Sequence, residues 1–261
     1  NVLDAVEEIG VAHEDVEHVV VTHVHLDHAG GIGEVSEACP NADVFVHELG
    51  EKYLTDDESA QRLVEKVHAV NDGLGDAYGG IETVDPDRVK TVADGDTVDL
   101  GDRELEVIET TGHAPHHISL YDASSGALFV VDEGCAYFGG EETVTTPPPN
   151  FDHEETLESF DRFEEYDAEY LLYGHYGVNY DGGDAIPRHR EALHEWVDEI
   201  EKAWKEHETD GPKADADADE VVDDVVEAFL SRRPDEADNP MVRGILTRDA
   251  YGVLNDLGLG R

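Results

Sequence analysis

Thr22-His23-Val24-His25-Leu26-Asp27-His28 decides the fold: four side chains able to bind a metal, His23, His25, Asp27 and His28, fall within six positions directly after the β-branched run Val19-Val20-Val21. The valines predict a buried strand, and Ala29-Gly30-Gly31 predicts a turn just beyond the motif. A strand that ends this way presents imidazoles and a carboxylate where the backbone changes direction, so a rigid scaffold can aim several of them at one point. Neutral imidazole combined with carboxylate suits zinc, iron or manganese better than calcium or magnesium. Even in a chain with 15 histidines, a solvated polar turn does not concentrate donors in this way.

Three later segments each carry a further donor. Thr111-Gly112-His113-Ala114-Pro115-His116-His117 places a histidine in a Gly-His turn, Phe129-Val130-Val131-Asp132 ends a strand on an aspartate, and Leu171-Leu172-Tyr173-Gly174-His175 is a strand followed by Gly-His. With the first motif, and in this order, they resemble the metallo-β-lactamase superfamily. The resemblance implies an α/β fold of the four-layer αββα sandwich type. It assigns His23, His25 and His113 to one metal, Asp27, His28 and His175 to a second, and Asp132 to a bridge. Asp27 would also orient the nucleophile by hydrogen bonding, which makes it the candidate catalytic residue.

The cofactors implied are two divalent metal ions, zinc first, with iron or manganese as alternatives. Sharing one water lowers its pKa towards neutrality, and the resulting hydroxide would attack a small ester or thioester, as in glyoxalase II-like hydrolases. Lactonases and phosphodiesterases of the same fold share the ligand set. A persulfide dioxygenase would use a single iron and would not need His28 or His175 as ligands. The reading from a different class is a non-catalytic, metal-stabilised module. His116 and His117 are expected to support the ligands, and Tyr137 and Tyr176 to pack in the core or at the rim.

Asp and Glu number 64 against 17 Lys and Arg, for a formal net charge of −47. The acid runs along the whole chain between apolar positions, which reads as a halophilic surface that molar salt screens to within about 3 Å. The basic residues form no dense patch for phosphates, so nucleic acid is not an expected partner. For the same reason no cluster of Arg or Lys marks a site for a thiol cofactor's carboxylates. No apolar run reaches membrane-spanning length, which leaves a small-molecule substrate as the expected partner. Cys39 and Cys135 fit a reducing cytoplasm and offer no disulfide framework. Cys135, three residues after Asp132, is expected to be a buried structural thiol, because nothing basic flanks it.

Members of the family usually open with strands and an Asp-x-Gly turn. Here 22 residues precede His23, and Val2, Leu3, Val6 and Ile9 recur at helical spacing up to a C-capping Gly10. The opening strands are therefore expected to be absent, with residues 1–186 as an N-terminally incomplete metal-binding domain. Further on, the pattern predicts helices over 30–39, 56–71 and 151–166, and strands over 43–47 and 170–173. Residues 89–110 read as one hairpin around Leu100-Gly101-Asp102, and 118–121 with 127–131 as a second. Residues 145–150, with three prolines, read as an exposed, stiff connection. From Pro187 to the end the chain reads as a helical region: a long helix with an apolar stripe through Leu193, Trp196, Val197, Ile200 and Trp204, an acidic linker at 214–219, a helix over 221–230, a loop over 234–240 and a last helix around 246–257. These apolar helices offer a surface for a homo-oligomer.

Overall fold

Helix α1 (Val2–Glu8) ends where its sequence says it should: Gly10 adopts φ +81°, and the N–H groups of Gly10 and Val11 bond back to the carbonyls of Glu7 and Val6. The structure, a computed structural model, describes residues 2–70, 79–138, 141–147, 149–175, 177–209, 218–233 and 238–259. Two compact units interleave along the chain: residues 1–109 with 116–122, and residues 110–115 with 123–261.

In the first unit, strands β1 (His18–Val21), β2 (Asp43–His47) and β3 (Val89–Val92) pair in parallel in that order. Parallel neighbours need crossovers, and the chain supplies helices α2 (Leu26–Ala29), α3 (Ile32–Ala38), α4 (Glu51–Thr55) and α5 (Asp57–Val70) along them. Val21, Val24, Ile32, Val44, Val46 and Leu54 close one apolar core under this sheet. Arg88 ties the end of α3 to the sheet, since its guanidinium donates to the carbonyls of Ser36, Cys39 and Ala42. A helix end leaves carbonyls short of intrahelical donors, and the guanidinium supplies them here.

The expected hairpin over 89–110 is confined to β4 (Thr97–Asp99) and β5 (Glu104–Glu109), which pair antiparallel around Gly101 at φ +88°. Val89–Val92 instead joins β2. Its buried valines at either end fit both partners equally well, so local alternation could not choose between them. Strand β6 (Ile118–Asp122) completes this unit by pairing with β5.

The second unit contains β7 (Ala127–Val131), the hairpin β8 (Cys135–Phe138) and β9 (Glu141–Val144), helix α6 (His153–Phe163), then β10 (Tyr170–Tyr173) and β11 (Val178–Asn179). Strand β10 runs parallel to β7 and antiparallel to β11. Three helices follow, α7 (Ile186–Thr209), α8 (Ala218–Ser231) and α9 (Pro240–Asp256), with α8 packed on both of the others. Leu193, Trp196 and Ile200 of α7 and Val221, Val225 and Val226 of α8 are buried, and Trp196 meets Phe229 edge-on at 5.6 Å. Residues 214–217 of the acidic linker lie outside the described residues. No helix among the described residues is long and apolar enough to cross a membrane.

Thr145, Thr146 and Pro147 are buried, which corrects the expectation of an exposed connection for its first half, while Pro149 and Asn150 are exposed as expected. The reason is a set of bonds specific to the threonines. The Thr145 hydroxyl donates to the Asp132 carbonyl at 2.7 Å, the Thr146 hydroxyl donates to the Asp249 carbonyl at 2.7 Å, and Trp196 Nε1 donates to Thr146 Oγ1 at 3.1 Å. Gly252 of α9 lies so close to the Thr146 carbonyl that a Cβ there would overlap it. In an open helix, Gly→Ala stabilises by about 1 kcal/mol. Here overpacking reverses the sign, and Gly252→Ala is expected to cost about 1–3 kcal/mol. A thermal melt checks this; a midpoint equal to or above wild type would mean that α9 slides freely away from Thr146.

Candidate metal centre

The first unit carries four of the candidate donors. β1 delivers the chain to Thr22, whose carbonyl accepts from the Ile118 N–H at 2.9 Å. His25 caps the single turn of α2, with its carbonyl accepting from His28 and Ala29. Leu26 and Ala29 are buried, so the turn is nailed down by the residues that alternate with the donors. Gly30 is required by close approach, because a Cβ would meet the Leu26 carbonyl.

His23 is fully buried and lies at the hub of an imidazole cluster. The rings of His28, His25 and His117 lie 4.2, 4.7 and 4.9 Å from its own, and His116 stacks at 6.5 Å. Asp27 is exposed, with Oδ2 3.8 Å from His28 Nε2. So many imidazoles cannot all be charged at such separations. Burial first, and then the neighbouring His25, His117 and His47, push His116 down to about 3. Its Nδ1 accepts from the Val24 N–H at 3.4 Å.

The second unit carries the other three. Gly112-His113 is a tight turn whose Gly112 carbonyl accepts from the Asp152 N–H at 2.8 Å. Val131, at the end of β7, has φ +55°, an uncommon and strained conformation for a β-branched residue. It redirects the chain at Asp132, and the Val131 carbonyl is held by the Gly174 N–H at 2.9 Å. β10 then delivers His175. One carboxylate oxygen, Asp132 Oδ2, stands 3.3 Å from His175 Nε2 and 3.9 Å from His113 Nε2. Asp132 and His113 are buried and His175 is partly open.

These donors fit a divalent metal. Two atoms bound to one zinc at about 2.0–2.2 Å stand roughly 3.3–3.5 Å apart in a tetrahedron. The Asp132–His175 separation falls in that range, and the Asp132–His113 separation exceeds a normal hydrogen bond. Buried neutral imidazoles with a carboxylate are the donor chemistry zinc, iron and manganese accept.

Other polar groups around these donors escaped the sequence reading. Glu133 is 0% exposed, and burial pushes its carboxyl up to about 8, against the opposing pull of hydrogen bonds from the His113 backbone, Ser159, the Gly112 backbone and Thr156. The signal was present: two successive acids inside Val130-Val131-Asp132-Glu133-Gly134-Cys135 cannot both be routine surface charges. In the first unit, buried His47 donates from Nε2 to Glu109 Oε1 at 3.1 Å, its tautomer set by the Leu49 N–H on Nδ1. Cys135 is a buried thiol that forms no disulfide, and Tyr137 stacks on Tyr173 at 5.9 Å. Tyr176 lies outside the described residues.

Comparison with known proteins adds to this geometry. A family model described as the metallo-beta-lactamase superfamily matches residues 3–175. The metallo-beta-lactamase fold-containing protein ST1585 of Sulfurisphaera tokodaii is 34% identical over 166 residues, 63% of this chain and 62% of that protein. Its crystal structure superposes with a TM-score of 0.62 at 32% identity, covering 68% of each chain. The acyl-coenzyme A thioesterase MBLAC2 of Bos taurus is 31% identical over 118 residues, 43% of this chain and 39% of that enzyme. A hydroxyacylglutathione hydrolase of Erythrobacter litoralis is 33% identical over 131 residues, 48% of this chain and 39% of that enzyme. The chain thus spans less than two thirds of the length of each of these curated relatives.

Proposed function

Because the chain belongs to the metallo-β-lactamase superfamily and has its metallo-hydrolase fold, we propose that it is a metal-dependent hydrolase of small thioesters or esters. The observation that carries this reading is the convergence of His113 and His175 on one Asp132 oxygen in one unit, matched by the His23 imidazole cluster in the other. The seven candidate donors would hold two divalent metal ions, zinc first: His23, His25, Asp27 and His28 from the first unit, and His113, Asp132 and His175 from the second. The thioester assignment rests on two relatives whose names state acyl-coenzyme A thioesterase and hydroxyacylglutathione hydrolase activity.

Bound divalent metals supply a water acidic enough to attack at neutral pH and a Lewis acid for the carbonyl. The protein supplies the rest. An imidazole binds a metal through the lone pair of a ring nitrogen, which only the neutral ring offers. Asp27, exposed beside His28, is the carboxylate that orients the attacking water by accepting its proton in a hydrogen bond. Thr145 and Gly174 hold the backbone on either side of the Asp132 carboxylate, so its oxygen does not have to be organised when substrate arrives.

The test is a panel of S-acyl thioesters, lactones and phosphodiesters with metal-quantified protein in molar KCl. Thioester kcat/KM is expected to exceed the others by at least about tenfold, to vanish on chelation and to return with zinc. Turnover of lactones or phosphodiesters without thioesters would overturn the substrate assignment.

A further inference from the structure

We propose that Glu133 is a positioning residue that fixes the backbone of the His113 turn, so that this donor meets its metal already aimed. The inference rests on the metal-centre reading above and deepens it. Asp132 and Glu133 are successive residues that face the same histidine at two places. Asp132 Oδ2 faces the His113 imidazole at 3.9 Å, and Glu133 Oε2 accepts from the His113 backbone N–H at 3.1 Å. The Gly112 backbone and the Ser159 and Thr156 side chains of α6 also surround the Glu133 carboxyl and pull against the effect of its burial.

The turn has no clearance against this clamp. A Cβ on Gly112 would run into Thr156 and the Glu133 carboxyl, although Gly112 does not need a left-handed backbone. The remaining polar groups of the turn are tied to the start of α6: the Gly112 carbonyl accepts from Asp152, and the Thr111 hydroxyl donates to Glu155 at 2.9 Å. Glu133 is therefore the group that links the end of the Asp132 strand to the His113 turn and to α6. A fully buried carboxyl is expensive to keep, and its partner in this case is the backbone N–H of His113 itself, the group that sets the orientation of this donor. Residues that orient metal ligands in this way typically change metal affinity by 10–100-fold when removed.

The experiment compares wild type, Glu133→Ala and Glu133→Gln by zinc titration against a chromophoric chelator, by the visible spectrum of the cobalt-substituted protein, and by the melting temperature of the chelated protein. Glu133→Ala is expected to weaken zinc binding by about 10–100-fold and to alter the cobalt spectrum. Glu133→Gln keeps the shape and an acceptor oxygen, and it is expected to restore both. A lowered melting temperature in Glu133→Ala with wild-type affinity and spectrum would mean a purely structural role and overturn the proposal. If Glu133→Ala does not fold, Glu133→Asp withdraws the carboxyl by one methylene. It must then lose affinity while Glu133→Gln retains it, and wild-type affinity in Glu133→Asp overturns the proposal. A wild-type protein that takes up no metal overturns the metal-centre reading itself; a wild type that loads alongside an equally tight Glu133→Ala overturns only the role of Glu133.

Discussion

Asp132→Ala is expected to lower thioester kcat/KM by at least about 1,000-fold, roughly 4 kcal/mol of transition-state stabilisation, and to leave no more than one of two metal equivalents bound. The expectation follows from charge and from position. Of the seven proposed donors only Asp27 and Asp132 are anionic, and Asp27 is exposed while Asp132 is 3% exposed. Without Asp132 the bound metals would keep only one carboxylate, the exposed Asp27, to balance their charge. The protein has also committed structure to this one side chain. Val131 holds a strained backbone beside it, its own carbonyl is bonded by Thr145, and one of its oxygens stands 3.3 Å from His175 Nε2 and 3.9 Å from His113 Nε2. Asp132→Asn separates shape from charge, because it keeps the volume and an acceptor oxygen. It is expected to lose nearly as much activity as Asp132→Ala while melting close to wild type in chelator. Metal analysis together with steady-state kinetics measures both. Two bound equivalents with near wild-type turnover in either variant would remove Asp132 from the centre.

The segments that carry the candidate donors were legible because their signals are local. A β-branched run ending in spaced donors specifies β1 and the turn at α2, and a strand followed by Gly-His specifies β10 and His175, with no need to know what lies beside them. What escaped depends on partners distant in sequence. Val89–Val92 has the pattern of a hairpin arm and pairs in parallel with β2, a choice made by the crossover and not by the strand. Pro240 read as loop because prolines interrupt helices; it stands in the first turn of α9 behind an Asn239 cap, where a missing N–H costs nothing. Thr145–Pro147 read as exposed by composition, yet its hydroxyls satisfy Asp132 and Asp249. Glu133 escaped for a related reason. An acid in a chain with 64 of them looks like one more surface charge until its burial is known.

Lowering KCl from about 3 M to about 0.1 M is expected to drop the melting midpoint by at least about 10 °C, and to unfold a large fraction of the protein at room temperature. The 64 acids face only 17 Lys and Arg, so most carboxylates have no cation to pair with. Burial does not hide them either: among the described residues only Asp122, Asp132, Glu133 and Asp249 are buried acids. Such ion pairs as Arg232–Glu199, Arg243–Glu227 and Arg188–Asp181 are exposed pairs, each worth about 0–1 kcal/mol and unable to offset a net charge of −47. At about 0.1 M salt the screening length is about 10 Å, so neighbouring carboxylates repel; at 1 M it is about 3 Å, and each is isolated from the next. The unfolded chain spreads the same charges further apart, so repulsion is relieved by unfolding and stability must rise with screening. The shape of the salt dependence discriminates between causes. Screening acts alike in NaCl and KCl and flattens near 1 M, whereas strengthening of apolar burial continues to rise and is larger in sulfate. A midpoint indifferent to KCl over this range would mean that the acidic surface is not held together by screening, and a rise seen only in sulfate would place the salt effect on the apolar core instead.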